Sequence, residues 1–373
     1  MPIRFSPRPT APPQPGPPRM RALAGLLLAG LAAGAPAALR SETLPASSPR
    51  VWVEGRSVTT PRQGVKLGFP GVTLHLAVRG PSLSFQAEAS ADEVDFDVVV
   101  DGTLRGRVRL PRGEATTVLF QGLPDARHQV ELVHATESSN GTCEVETLTA
   151  AAFLAPAPAP ARRLLFIGDS FTCGAAAECR PGLPTPATKS RRQNARLSYG
   201  WMLSRMLSAQ VSLVAYAGRG LLRDWQGLRT PIEAPEIYER ALADDPAAPW
   251  RHADYVPDAI GVCLGNDFDA GIPDQEDYVP AYVEFVRKLR RDAPRAQIIL
   301  IVSPVVSDPP GAVPRRTVLR AYMDQVVERL HDPRVAVADA GAYRGVPGDG
   351  HPDGAAHEAV AGILEPLFRK ALQ

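Results

Sequence analysis

"FIGDSFTCG", Phe166 to Gly174, closes the apolar run "RLLFIG" (residues 163–168) with a sudden change to small and polar residues. Such a break reads as a buried strand running directly into a turn. Ser170 at that break has two readings. Ser and Asp are favoured helix caps, because their oxygens accept the orphan amide protons of a first turn. A serine just outside the carboxyl end of a buried parallel strand also stands where open α/β sheets hold their ligands.

The chain downstream favours a sheet. "VSLVAY", "DAIGVCLG", "AQIILIVS" and "RVAVADA" are further buried-strand runs, and they alternate with helical periods at "SYGWMLSRMLSA", "PAYVEFVRKLRRD", "RRTVLRAYMDQVVERL" and "AAHEAVAGILEPLFRKAL". This predicts an α/β doubly wound parallel sheet over residues 163–373, flavodoxin-like and of about five strands. Upstream the period is two. "VTLHLAV", "SLSFQAE", "VDFDVVV", "RVRL", "TTVLF", "HQVELVH" and "TLTAAAFL" are punctuated by "FPGV", "VDGT", "LPRG" and "GLPDA", which predicts an antiparallel β-sandwich, a jelly roll, over residues 48–154. "APAPAPARR", opening at Ala155, is a stiff linker of residues 155–162 running into the first strand.

The strand ends carry the chemistry. Ser170 follows the first strand, Gly218 and Gly220 the second, Asn266 and Asp267 the third, and Asp349 and His351 in "GDGHPDG" the fifth. Acyl transfer needs a nucleophile, a base for its proton and donors aimed at the developing oxyanion. Ser170, His351, and an oxyanion hole of the Ser170 and Gly218 amides with the Asn266 side chain supply all three, with Asp349 the nearest acid to His351. Singly each has a plain reading: Gly218 as a turn, Asn266-Asp267 as a turn or cap, His351 as a loop histidine. Their joint order along the sheet is what points to a site. Thr172 stands where a G-x-S-x-G elbow needs its last glycine, so the α/β-hydrolase pattern is absent. No G-x-x-x-x-G-K loop and no G-x-G-x-x-G after a strand occur. His351 and His357 are not spaced as a helical ligand pair and no third ligand stands out, so neither metal nor cofactor is expected.

Composition excludes other classes. With 45% hydrophobic and 22% charged residues and a net charge of +1, the chain reads as globular, without the basic field of a nucleic-acid-binding protein. From Met20, "MRALAGLLLAGLAAGAPAALR" has a basic start, a short apolar run and Ala35-Pro36-Ala37 as an A-x-A cleavage site. Residues 1–37 are therefore expected to be a disordered start and a cleaved signal peptide, with Met1 or Met20 as the first residue translated; the run is too short for a stable membrane span. Export to the periplasm or the medium would favour disulfides. Cys173 and Cys179 could then close a loop beside Ser170, while Cys263 reads as a core residue.

"FIGDSFTCG" with the ordered Gly218, Asn266 and His351 resembles the SGNH, or GDSL, hydrolases. "EGR" (54–56), "HATES" (134–138), "NARLSYG" (194–200) and "DGHP" (349–352) after a β-sandwich resemble the two-domain carbohydrate esterase family 2, the acetyl xylan esterase type. The resemblance spans Val51 to the end. It implies that Ser170, Gly218, Asn266 and His351 are the signature residues. Leu264 replaces the first glycine of the usual third block, and Gly348 stands where most SGNH enzymes carry the orienting aspartate. Asp349 joins Ser170 and His351 as a candidate catalytic residue, but the resemblance also implies a Ser-His dyad whose histidine is held by a backbone carbonyl, and the sequence leaves open which of the two orients His351. On the dyad, Asp349→Asn is expected to lose less than about 100-fold in kcat, well short of a full triad.

The expected function is removal of acetyl or other short acyl groups from hydroxyls of a polysaccharide or oligosaccharide, with Trp225 and Asp267 as substrate contacts. Trp225 reads equally as a sugar platform or as core, and Trp201 as core. A lipid esterase or thioesterase on the same site, or a carbohydrate-binding protein without activity, are the alternatives. The intact set of Ser170, Gly218, Asn266 and His351 weighs against the last. Nothing in the sequence specifies an oligomeric state, the sugar or the hydroxyl.

Overall fold

The computed structural model describes residues 41–373; the expected signal peptide and disordered start, residues 1–37, lie outside them. The first ten strands are β1 (Glu42–Pro45), β2 (Val51–Glu54), β3 (Val58–Thr59), β4 (Val65–Leu67), β5 (Thr73–Ala89), β6 (Val94–Val100), β7 (Thr103–Leu110), β8 (Gly113–Phe120), β9 (Arg127–His134) and β10 (Cys143–Leu154). All pair antiparallel. The β domain thus takes in a strand ahead of residue 48, since β1 pairs with β10.

Two runs expected as separate strands, "VTLHLAV" and "SLSFQAE", are one. β5 continues through Gly80 and Pro81, pairing with β2 and β9 before them, with β8 after them and with β10 on both sides. Gly80 has φ +114°, and a Cβ there would lie 2.6 Å from that of Ala151, so only glycine lets the strand turn at this point. The alternation also fails in one place. Every residue of β6 is buried, Asp95 and Asp97 included, because its polar face meets the second domain: Asp97 accepts from Arg196 Nε at 2.7 Å and from Asn194 Nδ2 at 2.9 Å.

The second domain has strands β11 (Arg163–Gly168), β12 (Gln210–Ala215), β13 (Ala259–Cys263), β14 (Gln297–Val302) and β15 (Val335–Asp339), with helices α1 (Lys189–Arg192), α2 (Tyr199–Met206), α3 (Ala234–Tyr238), α4 (Gln275–Asp292), α5 (Arg315–Leu330) and α6 (Gly354–Ala371). The sheet is parallel in the order β12-β11-β13-β14-β15. The order reverses beside β11, so the switch-point crevice lies over the end of the strand that carries Ser170. α4 starts five residues ahead of the Pro280 that opens its helical period, because Asp274 accepts from Glu276 N at 2.8 Å and caps the helix.

β12 is an edge strand, and the β domain covers it. Glu54 Oε1 accepts from Val211 N at 2.6 Å, and its other oxygen pairs with Arg205 Nη2 at 2.8 Å. Arg56 reaches the carbonyls of Tyr238 and Arg240 at 2.6 and 2.7 Å, buried among the rings of Phe69, Tyr238 and Trp250; burial pushes its pKa down to about 9. No helix among the described residues is long and apolar enough to cross a membrane.

Candidate active site

The turn after β11 is not the start of a regular helix, so Ser170 caps nothing. Asp169 shapes the turn instead: its carboxylate accepts from Phe171 N at 3.1 Å and Gly265 N at 2.9 Å. Burial pushes the Asp169 pKa up to about 6 in spite of these donors. Ser170 Oγ lies 2.7 Å from His351 Nε2, and His351 Nδ1 lies 2.7 Å from Asp349 Oδ1. An ionised Asp349 can only accept, so Nδ1 carries the proton and Nε2 is left to accept from the serine hydroxyl. This geometry can pass the serine proton to the imidazole.

Asp349 therefore contacts His351 directly, as the acid of a triad would, where the sequence leaves the orienting group open between Asp349 and a backbone carbonyl. The acid reaches the ring from two residues before it because Val346 N donates to His351 O at 2.7 Å and Asp349 N donates to Val346 O at 3.0 Å, folding the loop back on itself. Its other oxygen accepts from Arg192 Nη1 at 2.7 Å. Burial raises the carboxyl pKa, yet the His351 hydrogen bond and the charges of His351 and Arg192 hold it below its ordinary value.

Three donors at the ends of β11, β12 and β13 are free. The amides of Ser170 and Gly218 have no acceptor among the described residues, and Asn266 Nδ2 gives one proton to Asp269 Oδ2 at 2.8 Å, keeping the other. Gly218 sits at φ +80°, and a Cβ on it would come within 2.9 Å of Trp225 Cδ1, so the position demands glycine twice over. Trp225 is 56% exposed beside it, Trp201 8%. The cavity, about 190 Å³, is lined by Ser170, Asn266, Asp269, Val305, Val306 and His351.

Asp267 was expected to touch substrate and does not. It is fully buried, and its carboxylate takes the amides of Leu221, Leu222 and Arg223 at 2.6, 2.8 and 3.1 Å, anchoring the loop that carries Trp225. Burial pushes its pKa up to about 6. The expected Cys173–Cys179 bridge is absent: all four cysteines are buried free thiols. Cys173 Sγ turns away to the domain interface, donating to Glu137 Oε2 at 3.4 Å. His357 is also buried, with Nε2 on Ala175 O, Nδ1 on Tyr199 N, and its ring stacked on Phe171 at 4.1 Å. Away from this site Glu239, His252 and Asp292 converge, but Lys288 Nζ already bridges the two acids at 2.8 and 2.7 Å.

Residues 53–160 match the family described as "Carbohydrate esterase 2 N-terminal", and residues 166–359 the "GDSL-like Lipase/Acylhydrolase family". An acetylxylan esterase / glucomannan deacetylase of Cellvibrio japonicus is 34% identical over 89% of this chain and 92% of its own length. The chain belongs to carbohydrate esterase family 2. The structure of a family two carbohydrate esterase from Cellvibrio japonicus superposes with TM-score 0.83 at 33% identity, covering 89% of this chain and 98% of that one. A family two enzyme from Clostridium thermocellum, solved with cellohexaose, gives TM-score 0.79 at 25% identity over 86% and 99%. The esterase is therefore a hydrolase of ester bonds, built as an antiparallel β domain followed by a parallel-sheet α/β domain. The motifs that carried the resemblance lie largely at the contact between the two: Glu54, Arg56, Glu137 and Asn194 each bond across it.

Proposed function

We propose that this esterase is exported and removes acetyl groups from hydroxyls of hemicellulose-type polysaccharides or their oligosaccharides. The observation that carries the reading is the Ser170–His351 contact of 2.7 Å in a cavity of about 190 Å³, within a chain 34% identical to an acetylxylan esterase / glucomannan deacetylase. A cavity of this size suits an acetyl group better than a long acyl chain. Export rests on the sequence of residues 20–37.

In this mechanism Ser170 Oγ attacks the ester carbonyl as His351 Nε2 takes its proton. The negative charge that develops on the carbonyl oxygen is met by the amides of Ser170 and Gly218 and the second amide proton of Asn266. The imidazolium, steadied by Asp349, then protonates the departing sugar oxygen. Water enters, gives its proton to His351 and attacks the acyl-serine; acetate is released as the imidazolium returns that proton to Ser170 Oγ. Trp225, exposed next to Gly218, offers its ring to a sugar face.

Acetate release and NMR of the products from acetylated xylan and acetylated glucomannan test this directly. Release from either, with p-nitrophenyl acetate turned over far faster than the octanoate, is the expected outcome. Preference for octanoate, with no acetate from either polymer, would overturn it.

A further inference from the structure

Two carboxylates of the β domain reach the outer side of β12. Glu54 takes the amide of Val211 near the strand's start, and Glu137 takes that of Ala217 just beyond its end, at 2.7 Å. Glu54 shares its buried site with Arg205 and His75. Glu137 has no ion-pair partner among the described residues, although it is only 5% exposed. Its Oε2 accepts from two neutral donors, the Ala217 amide and the Cys173 thiol; burial raises its pKa above the ordinary carboxylate value although these bonds, the Ser139 side chain and the charge of His351 work the other way. Burying a carboxyl without an ion-pair partner is costly, and covering an edge strand does not require it.

What distinguishes Glu137 is where its two donors lie. Cys173 belongs to the Ser170 turn, its amide donating to Asp169 O at 3.0 Å. Ala217 precedes Gly218, whose own amide faces no acceptor and whose carbonyl accepts from Trp225 N at 3.0 Å. With Ala217 N held on one side and Gly218 O on the other, the N–H between them has a fixed direction. We propose that Glu137 is a positioning residue for the esterase reaction: from the β domain it ties the Ser170 turn to the Tyr216–Ala217 peptide, the one directly ahead of the Gly218 amide, and so aims that amide at the developing oxyanion. The inference rests on Gly218 being an oxyanion donor, and it makes the β domain a working part of the catalytic unit.

The test compares Glu137→Met, which keeps the bulk and removes the acceptor, with Glu137→Gln, which keeps an acceptor oxygen. Glu54→Gln, on the same edge but remote from the chemistry, is the control. Turnover of p-nitrophenyl acetate is measured per site titrated with a fluorophosphonate, so that misfolded molecules do not count. Misaiming one oxyanion donor predicts that Glu137→Met loses about 100-fold in kcat per titrated site with KM within about 3-fold, while Glu137→Gln stays within about 10-fold of the wild type. Inhibition by a short alkylboronic acid, which forms a tetrahedral adduct on the serine, should weaken in step with kcat. Glu54→Gln should lower the melting temperature and leave kcat per site unchanged.

If Glu137→Met keeps kcat per site within about 3-fold, or Glu137→Gln falls as far as Glu137→Met, the positioning role is overturned. Should the methionine variant not fold, Glu137→Asp replaces it, since the shorter arm withdraws the acceptor, with the same two outcomes. A wild-type protein that is neither titrated nor active would instead sink the esterase reading, and this inference with it.

Discussion

Arg192 Nη1 lies 2.7 Å from Asp349 Oδ2, the carboxylate oxygen turned away from His351. This contact decides what Asp349→Asn would do. An asparagine there would give its oxygen to the arginine, which can only donate, leaving its NH₂ toward His351 Nδ1. The ring would then adopt the wrong tautomer, with Nε2 protonated and unable to take the serine proton. Asp349→Asn is expected to lose about 10³- to 10⁴-fold in kcat, a large part of the roughly 10⁶-fold loss expected from His351→Ala. Rates on an acetyl ester at pH 8, with folding checked by circular dichroism, decide it; a loss below about 100-fold would restore the dyad.

Ser170 makes its side-chain contact with His351 and caps no helix. Ser170→Ala should therefore abolish acetyl-ester turnover, by about 10⁶-fold in kcat, without the roughly 1 kcal/mol that a lost cap costs. Melting temperature and kcat measured on one preparation separate the two readings of the serine. A folded alanine variant that keeps most of its activity would remove the proposed nucleophile.

Asn266 is held by one amide proton on Asp269, which leaves the other free to meet an oxyanion. Asn266→Ala should lower kcat by about 100- to 1000-fold with KM little changed, the usual cost of one oxyanion donor. Steady-state kinetics on p-nitrophenyl acetate give both parameters. An effect confined to KM would make Asn266 a substrate-binding residue instead.

The strand ends were legible because buried parallel strands announce themselves as unbroken apolar runs, and "RLLFIG" coincides with β11 from Arg163 to Gly168. Ser170, Gly218, Asn266 and His351 follow from that, since the fold fixes where those ends meet. The Asp349–His351 contact was not legible: two residues in a loop can point together or apart, and it is the backbone bonds around Val346 that fold them together. Asp267 misled because a carboxylate beside a site residue looks available in sequence, whereas burial here gives it three amides of its own chain. Glu54, Arg56 and Glu137 appeared only as pieces of a resemblance. Their reason is a contact between domains far apart in the chain, and local pattern carries no trace of such a contact.

His357 gives a pH dependence whose sign follows from its burial. Desolvation pushes its pKa down to about 4, although the Ala175 carbonyl it bonds works the other way. In the unfolded chain the same ring titrates at about 6.5, so between these values the unfolded state binds the extra proton and acidification favours it. The stabilising contribution of neutral His357 is thus present above pH 6.5 and lost as the pH falls toward 4. Asp169 and Asp267, with pKa values raised to about 6, act in the opposite sense: their contribution is lost as pH rises through that value. His357→Gln isolates the histidine. The variant should be less stable than the wild type at pH 7, through imperfect replacement of the bonds to Ala175 and Tyr199 and of the stack on Phe171. Because glutamine does not titrate, that deficit should shrink by up to about 3 kcal/mol at pH 4. Urea unfolding of both proteins at pH 7, 5.5 and 4 measures the gap, and a gap that stays constant across the three would show that His357 is not held neutral in the folded protein.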